Sequence, residues 1–375
     1  MFFTDIIICN CFYIYVEHVK KSETEVESLL KNRWNCTTAH ERNRFSVTMY
    51  LISSTTLFLF ILMDRMIGFG YRVARLILDE NGIFRNFLSS ISDEEFNMLA
   101  SNLIAIIAFW GACIISFAVL MLFLKRISTK ADFDINNRVS FRFKMPKNTV
   151  ALLFVGLGVV YFFATIAFGF DFALSRFGVE RRTFDGTAFF PGTGVGVFIY
   201  FFAYVVSPSI LEEFLCRYLM LNALRKYGDG FAITVSSVFF GLLHGNVNQF
   251  FFTTAIGFFL AYYAIKTKSI WFPIILHVFI NSSAMFWSFM SYYSSEELFT
   301  LLSSLIMTII FGISAIYMIW LIKTRYDFSL KPRQDYVPIT RRQKIVGFFN
   351  VATIIFIVIA IWQSMGAYYI SGAYW

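Results

Sequence analysis

Long apolar runs separated by short polar connections set the pattern of this chain. The runs cover 46–63, 99–124, 149–170, 193–206, 231–243, 250–265, 270–290, 299–322 and 346–362. Most approach the ~20 residues that a helix needs to cross ~30 Å of hydrocarbon. Period-two alternation, the mark of a spanning barrel, is absent. The pattern predicts an all-α fold: a polytopic transmembrane helical bundle of about eight to nine spans. After the 193–206 run Pro208 interrupts, and a helix is expected to restart there, with Ser207 as its N-cap, and to run to about Lys226. The sequence Tyr227-Gly228-Asp229-Gly230 then ends it.

The polar connections orient the bundle. Segments 125–147 and 323–344 each carry seven Lys/Arg and are expected in the cytoplasm. Nine spans then also put Arg225, Lys226, Lys266 and Lys268 inside and the acidic 291–297 connection outside. The 64–96 connection breaks this rule, since it falls outside yet holds Arg65, Arg72 and Arg75. Residues 2–17 are short for a span and lack the basic start of a standard signal peptide. Residues 1–45 read as a polar N-terminal extension, with helices and a basic loop at 46–145 and further helices from 146 to 375.

Composition agrees with a membrane chain. It is 58% hydrophobic and 15% charged, which excludes an ordinary soluble domain. The net charge of +8 is explained by the cytoplasmic loops, so no nucleic-acid partner is expected. The abundance of Phe, Ile and Tyr points to a bacterial cytoplasmic membrane, with the lipid bilayer as constant partner. Five cysteines match neither a disulfide framework nor a zinc knuckle.

Chemistry is concentrated in three motifs. Glu212-Glu213-x-x-x-Arg217, Phe240-x-x-x-His244 and His277-x-x-x-Asn281 lie in apolar surroundings, where an ionisable group needs a reason to be. Glu213 and Arg217 share a helix face and should pair, because either alone is costly to bury. Glu212 points about 100° away and is left for proton transfer. His277 and Asn281 also share a face, and both can donate to an oxygen gaining negative charge. Together these groups would complete a water-activating hydrolytic site. Blander readings stay open: a buried salt-bridge network for the acids, a core histidine for His244, helix–helix hydrogen bonds for His277 and Asn281. Glu plus two His would also suit zinc, although the HExxH spacing is missing. Asn246, Asn248 and Gln249 read as a wet loop at the membrane surface.

The ordered triplet EExxxR, FxxxH, HxxxN resembles the CPBP family, the CAAX prenyl proteases and bacteriocin-processing or immunity (Abi) proteins. The resemblance covers about 146–290 and departs at Cys216 and Tyr218, where relatives commonly have Phe and Gly. It implies an intramembrane endopeptidase of glutamic type acting on a peptide or protein in the membrane. Glu212 and His244 would activate water, His277 and Asn281 would form the oxyanion hole, and no metal or other cofactor would be needed. The alternative it implies is a non-catalytic partner of the same fold, such as an immunity or scaffold protein. A transporter is a further reading, against which stands the lack of two repeats.

Overall fold

Helices follow the apolar runs. The computed structural model describes residues 39–77, 93–127, 138–181, 194–330, 337–366 and 368–370. Most of the N-terminal extension, 1–38, therefore lies outside the described residues. The helices are α1 Ala39–Ile77, α2 Asp93–Ile127, α3 Thr149–Ser175, α4 Gly194–Tyr227, α5 Asp229–Leu242, α6 Val247–Thr267, α7 Trp271–Tyr293, α8 Glu296–Lys323, α9 Arg341–Phe348 and α10 Val351–Gly366. A single small ladder accompanies them among the described residues: β1 Val179–Arg181 pairs antiparallel with β2 Tyr368–Ile370.

Seven helices are long and apolar enough to span, and the α9–α10 pair, bent by 54°, makes an eighth if it counts as one. The ninth expected span is short by length. The 231–243 run forms α5, whose 14 residues rise only about 21 Å. The chain is a multi-pass membrane protein of all-α class. Arg65, Arg72 and Arg75 belong to no loop: α1 continues helically to Ile77, beyond its apolar part at Glu41–Met63.

The expected break at Pro208 is also absent. The helix runs through it because the preceding turn, Phe202–Val206, is a π-turn. There the Ser207 N–H reaches the carbonyl of Phe202, five residues back. The wider turn absorbs the hydrogen bond that proline cannot donate. Ser207 is therefore no cap; its hydroxyl accepts from the Trp110 indole of α2 at 2.9 Å. The stop after Tyr227 is as read, with Gly228 at φ 119°, a conformation open to glycine.

Packing in lipid relies on close contact more than on hydrophobic transfer, so small residues at crossings matter. Gly257 of α6 lies against Ser237 of α5, where an added Cβ would sit 3.1 Å from the serine Cα. Gly158 of α3 meets Ser314 of α8, and an added Cβ would come within 2.5 Å of the serine Cβ. Ser314 donates to the Phe154 carbonyl at 2.6 Å, fixing its side chain in that gap. Gly158→Val should therefore destabilise the protein by about 1–3 kcal/mol, read as a lowered Tm in detergent. Gly169→Val, which meets nothing within 4 Å, is the matched control and should change little.

At the basic end, residues 138–148 clasp the helices that carry the core. Val139 exchanges two hydrogen bonds of 2.9 Å with the Asn222 side chain of α4. Ser140 bonds the backbone on either side of Ser269, between α6 and α7. Trp271 of α7 donates its indole N–H to the Phe141 carbonyl at 2.7 Å. The clasp fixes the ends of α4, α6 and α7 relative to one another.

Candidate active site

The middle of α4 supplies Ser209, Glu212, Glu213 and Arg217. A second π-turn, Phe214–Met220, begins directly after the two acids. Glu213 and Arg217 are completely buried and pair at 3.1 Å, Oε2 to Nε. The guanidinium lies over the Phe240 ring of α5, 4.5 Å from its centroid. Its Nη2 donates to the Gly257 carbonyl of α6 at 3.4 Å. One charged group thus ties α4, α5 and α6 together.

Helix α7 packs on the other side of α4 and meets it at two successive turns. The His277 Nδ1–H donates to Glu213 Oε1 at 3.1 Å. One turn along α7, and one turn back along α4, the Asn281 amide donates to the Ser209 hydroxyl at 3.3 Å. The two helices run antiparallel, so steps of four residues on each keep these pairs level. His277 lies six residues into α7 and Glu213 fourteen residues before the end of α4, so the helix ends are staggered at the basic side. Counting rise per residue from each helix end could not show this, because such counting assumes level ends.

Glu212 faces differently. Its Oε2 lies 3.9 Å from His277 Nε2 and has no hydrogen-bond partner among the described residues, although that atom is buried. His277 therefore stands between the two adjacent carboxylates, held by one and facing the other. With Nδ1–H donating to Glu213, Nε2 is the ring nitrogen available toward Glu212.

His244 sits at the end of α5, partly exposed, with Nδ1–H donating to the Phe240 carbonyl at 2.9 Å. Its ring packs against that of Phe240 at 5.2 Å. His277 packs edge-on to the same phenyl ring at 5.5 Å. Phe240 thus joins Arg217, His244 and His277. Glu212 and His244 share no hydrogen bond or ion pair. The structure brings Glu212, Glu213, Arg217 and His277 into direct contact, and joins His244 to them through the phenyl ring. No three His, Cys, Asp or Glu side chains converge as a metal cage among the described residues.

Three features escaped sequence reading. Ser209 gave no signal beyond its position one turn before Glu213. The π-turns leave no pattern that a 3.6-residue period would detect. Phe240 was visible as the first residue of FxxxH, but its contact with Arg217 depends on how α4 and α5 cross. The expected wet loop at 246–249 is corrected as well. Asn246 caps α6, accepting from the Asn248 N–H at 2.9 Å. Asn248 is buried, donates to Asp171 of α3 and accepts from the Tyr368 hydroxyl at 3.0 Å. The one Tyr368 hydroxyl proton is shared with Asp171, whose Oδ1 lies 2.8 Å away, so the three form a closed polar cluster.

Comparison with known proteins falls on this same stretch. Residues 194–283 match the family described as Type II CAAX prenyl endopeptidase Rce1-like. Those residues include every group of the three motifs. The chain is also similar to the protein named "Putative membrane peptidase YdiL" of Bacillus subtilis (strain 168), with 39% identity over 79 residues. The match takes in 21% of this chain and 32% of that protein, so the chain spans about a third of the length of the curated relative it matches. No solved structure matches.

Proposed function

From the match of residues 194–283 to the Type II CAAX prenyl endopeptidase Rce1-like family, we propose that this is a CPBP-type intramembrane endopeptidase in which Glu212 activates the hydrolytic water. The observation that supports this reading is the unpartnered, buried Oε2 of Glu212 facing an imidazole nitrogen. A carboxylate already bonded, as Glu213 is, would have to release a partner before it could take a proton.

The step follows from that placement. Water gives a proton to Glu212 Oε2 as its oxygen attacks the peptide carbonyl carbon. The carbonyl oxygen gains the charge and is received by the Asn281 amide N–H, and by His277 where its Nε2 carries a proton. Glu212 then returns the proton to the leaving nitrogen as the C–N bond breaks. His244, with Nδ1–H held by Phe240, offers Nε2 to the same water. The substrate is a peptide or protein within the bilayer, and no metal enters the step. The cytoplasmic membrane of a bacterium is the proposed location.

A second reading of the imidazole partner has its own support. His277, at 3.9 Å, is nearer to hydrogen-bonding Glu212 than His244 is. The two readings separate under substitution. If His244 completes the water-activating pair, His244→Ala should lower cleavage by about 10²-fold or more. If His277 does so, His244→Ala should leave most activity while His277→Ala abolishes it. Asn281→Ala should cost on the order of 10²–10³ in kcat under either reading.

The deciding experiment profiles new peptide ends in membranes from cells carrying wild type, the Glu212→Gln variant or no copy of the gene. Products present with wild type alone support the peptidase. Identical profiles in all three would leave the non-catalytic partner standing. Activity of the purified protein lost to a tight chelator and restored by zinc would overturn the metal-free step.

A further inference from the structure

At the basic end of the bundle a cavity of about 630 Å³ opens among the ends of α3, α6 and α8. The positive-inside rule places this end in the cytoplasm. Lys144, Lys147, Lys266 and Arg325 line the cavity, against one acid, Asp327. Lys266 is committed: its Nζ donates to the Asp327 and Ser329 carbonyls, the latter at 2.9 Å, and lies 3.8 Å from the Asp327 carboxylate. The side chains of Lys144, Lys147 and Arg325 make no hydrogen bond or ion pair among the described residues. The cavity therefore carries three positive charges that nothing described neutralises.

Its surroundings say what kind of anion fits. Trp320 and Met145 form part of the wall, and Trp320 is 43% exposed. Tryptophan at such a level marks the boundary between hydrocarbon and headgroups. Further along α8, Ile316 and Ile319 are more than half exposed, a face for lipid chains. A polar, basic cavity thus sits directly below an apolar helix face. Basic pockets between membrane helices at the cytoplasmic side suit anionic lipid headgroups.

We propose that this cavity binds the phosphate headgroup of an anionic phospholipid of the cytoplasmic leaflet, with the acyl chains lying along α8. Lys144, Lys147 and Arg325 would hold the phosphate, Lys and Arg being suited to it as point charge and fork respectively. The site is separate from the Glu212 cluster and does not depend on the peptidase reading.

Native mass spectrometry and thermal unfolding of the purified full chain test it. Phosphatidylglycerol should give a one-to-one adduct and raise Tm, whereas phosphatidylcholine with the same tails should do neither. The Lys144→Gln/Lys147→Gln/Arg325→Gln variant should weaken the adduct on the order of a hundredfold. A control losing equal charge on the same side, Lys125→Gln/Arg142→Gln/Lys323→Gln, should keep it. Far-ultraviolet circular dichroism and unliganded Tm of both variants establish that they fold. Should the cavity variant not fold, Lys147→Glu alone gives the same reading. Equal binding of phosphatidylcholine, equal loss in the control, or full competition by inorganic phosphate at millimolar concentration would each overturn the proposal.

Discussion

Replacing Glu212 by Gln is expected to reduce peptide cleavage by about 10²–10⁴-fold while leaving the fold intact. Both halves of that expectation come from the geometry. Glutamine keeps the shape of the side chain but cannot accept a proton from water, so the base is lost and little else. The Oε2 atom gives up no hydrogen bond, because it makes none among the described residues. His277 Nε2 lies at 3.9 Å, too far for a hydrogen bond. The change in Tm should therefore be small. Glu213→Gln provides the contrast, since that carboxylate holds both His277 and Arg217 at 3.1 Å. It should lower Tm visibly as well as activity. Single-turnover cleavage of a peptide found by the membrane profile, measured beside Tm, separates the two effects. Cleavage at the wild-type rate by the Glu212→Gln protein would remove that residue from the mechanism.

The frame of this protein was legible in the sequence because lipid imposes one simple requirement. A spanning helix must be apolar for its whole length, and the runs at 149–170, 270–290 and 299–322 became α3, α7 and α8 with small changes at the ends. Errors arose where local rules met tertiary compensation. Pro208 should end a helix, yet a π-turn just before it removes the conflict. The 231–243 run has the composition of a span, yet its helix is only 14 residues long and mostly buried. Asn248 looks like a surface residue until the ends of α3 and α10 come to meet it. Within the site, pairs on one helix were readable from spacing, Glu213 with Arg217 above all. Contacts between helices were not. Which histidine faces Glu212, and that Ser209 receives Asn281, depends on the stagger of α4 against α7, which no spacing records.

Removing the Arg217 charge is expected to be the most destabilising single change in the site. Arg217→Met should cost about 3–5 kcal/mol, because it leaves Glu213 buried without its counter-charge. The pair is completely enclosed, so solvent cannot take the place of the guanidinium. The loss should include the contact with the Phe240 ring, worth about 2 kcal/mol when desolvated, and the bond to the Gly257 carbonyl. Arg217→Lys keeps the charge but not the planar fork that serves a carboxylate, a ring face and a carbonyl together, so it should recover only part of the loss. The double variant Glu213→Gln/Arg217→Met removes both charges and should cost less than the two single changes added. Unfolding of the four proteins in the same detergent gives the coupling directly. Additive losses, or a cost below ~1 kcal/mol for Arg217→Met, would mean the pair does not hold α4, α5 and α6 together. A large coupling has a consequence for chemistry: the group that Arg217 steadies is the one that fixes His277 Nδ1, and through it the nitrogen facing Glu212.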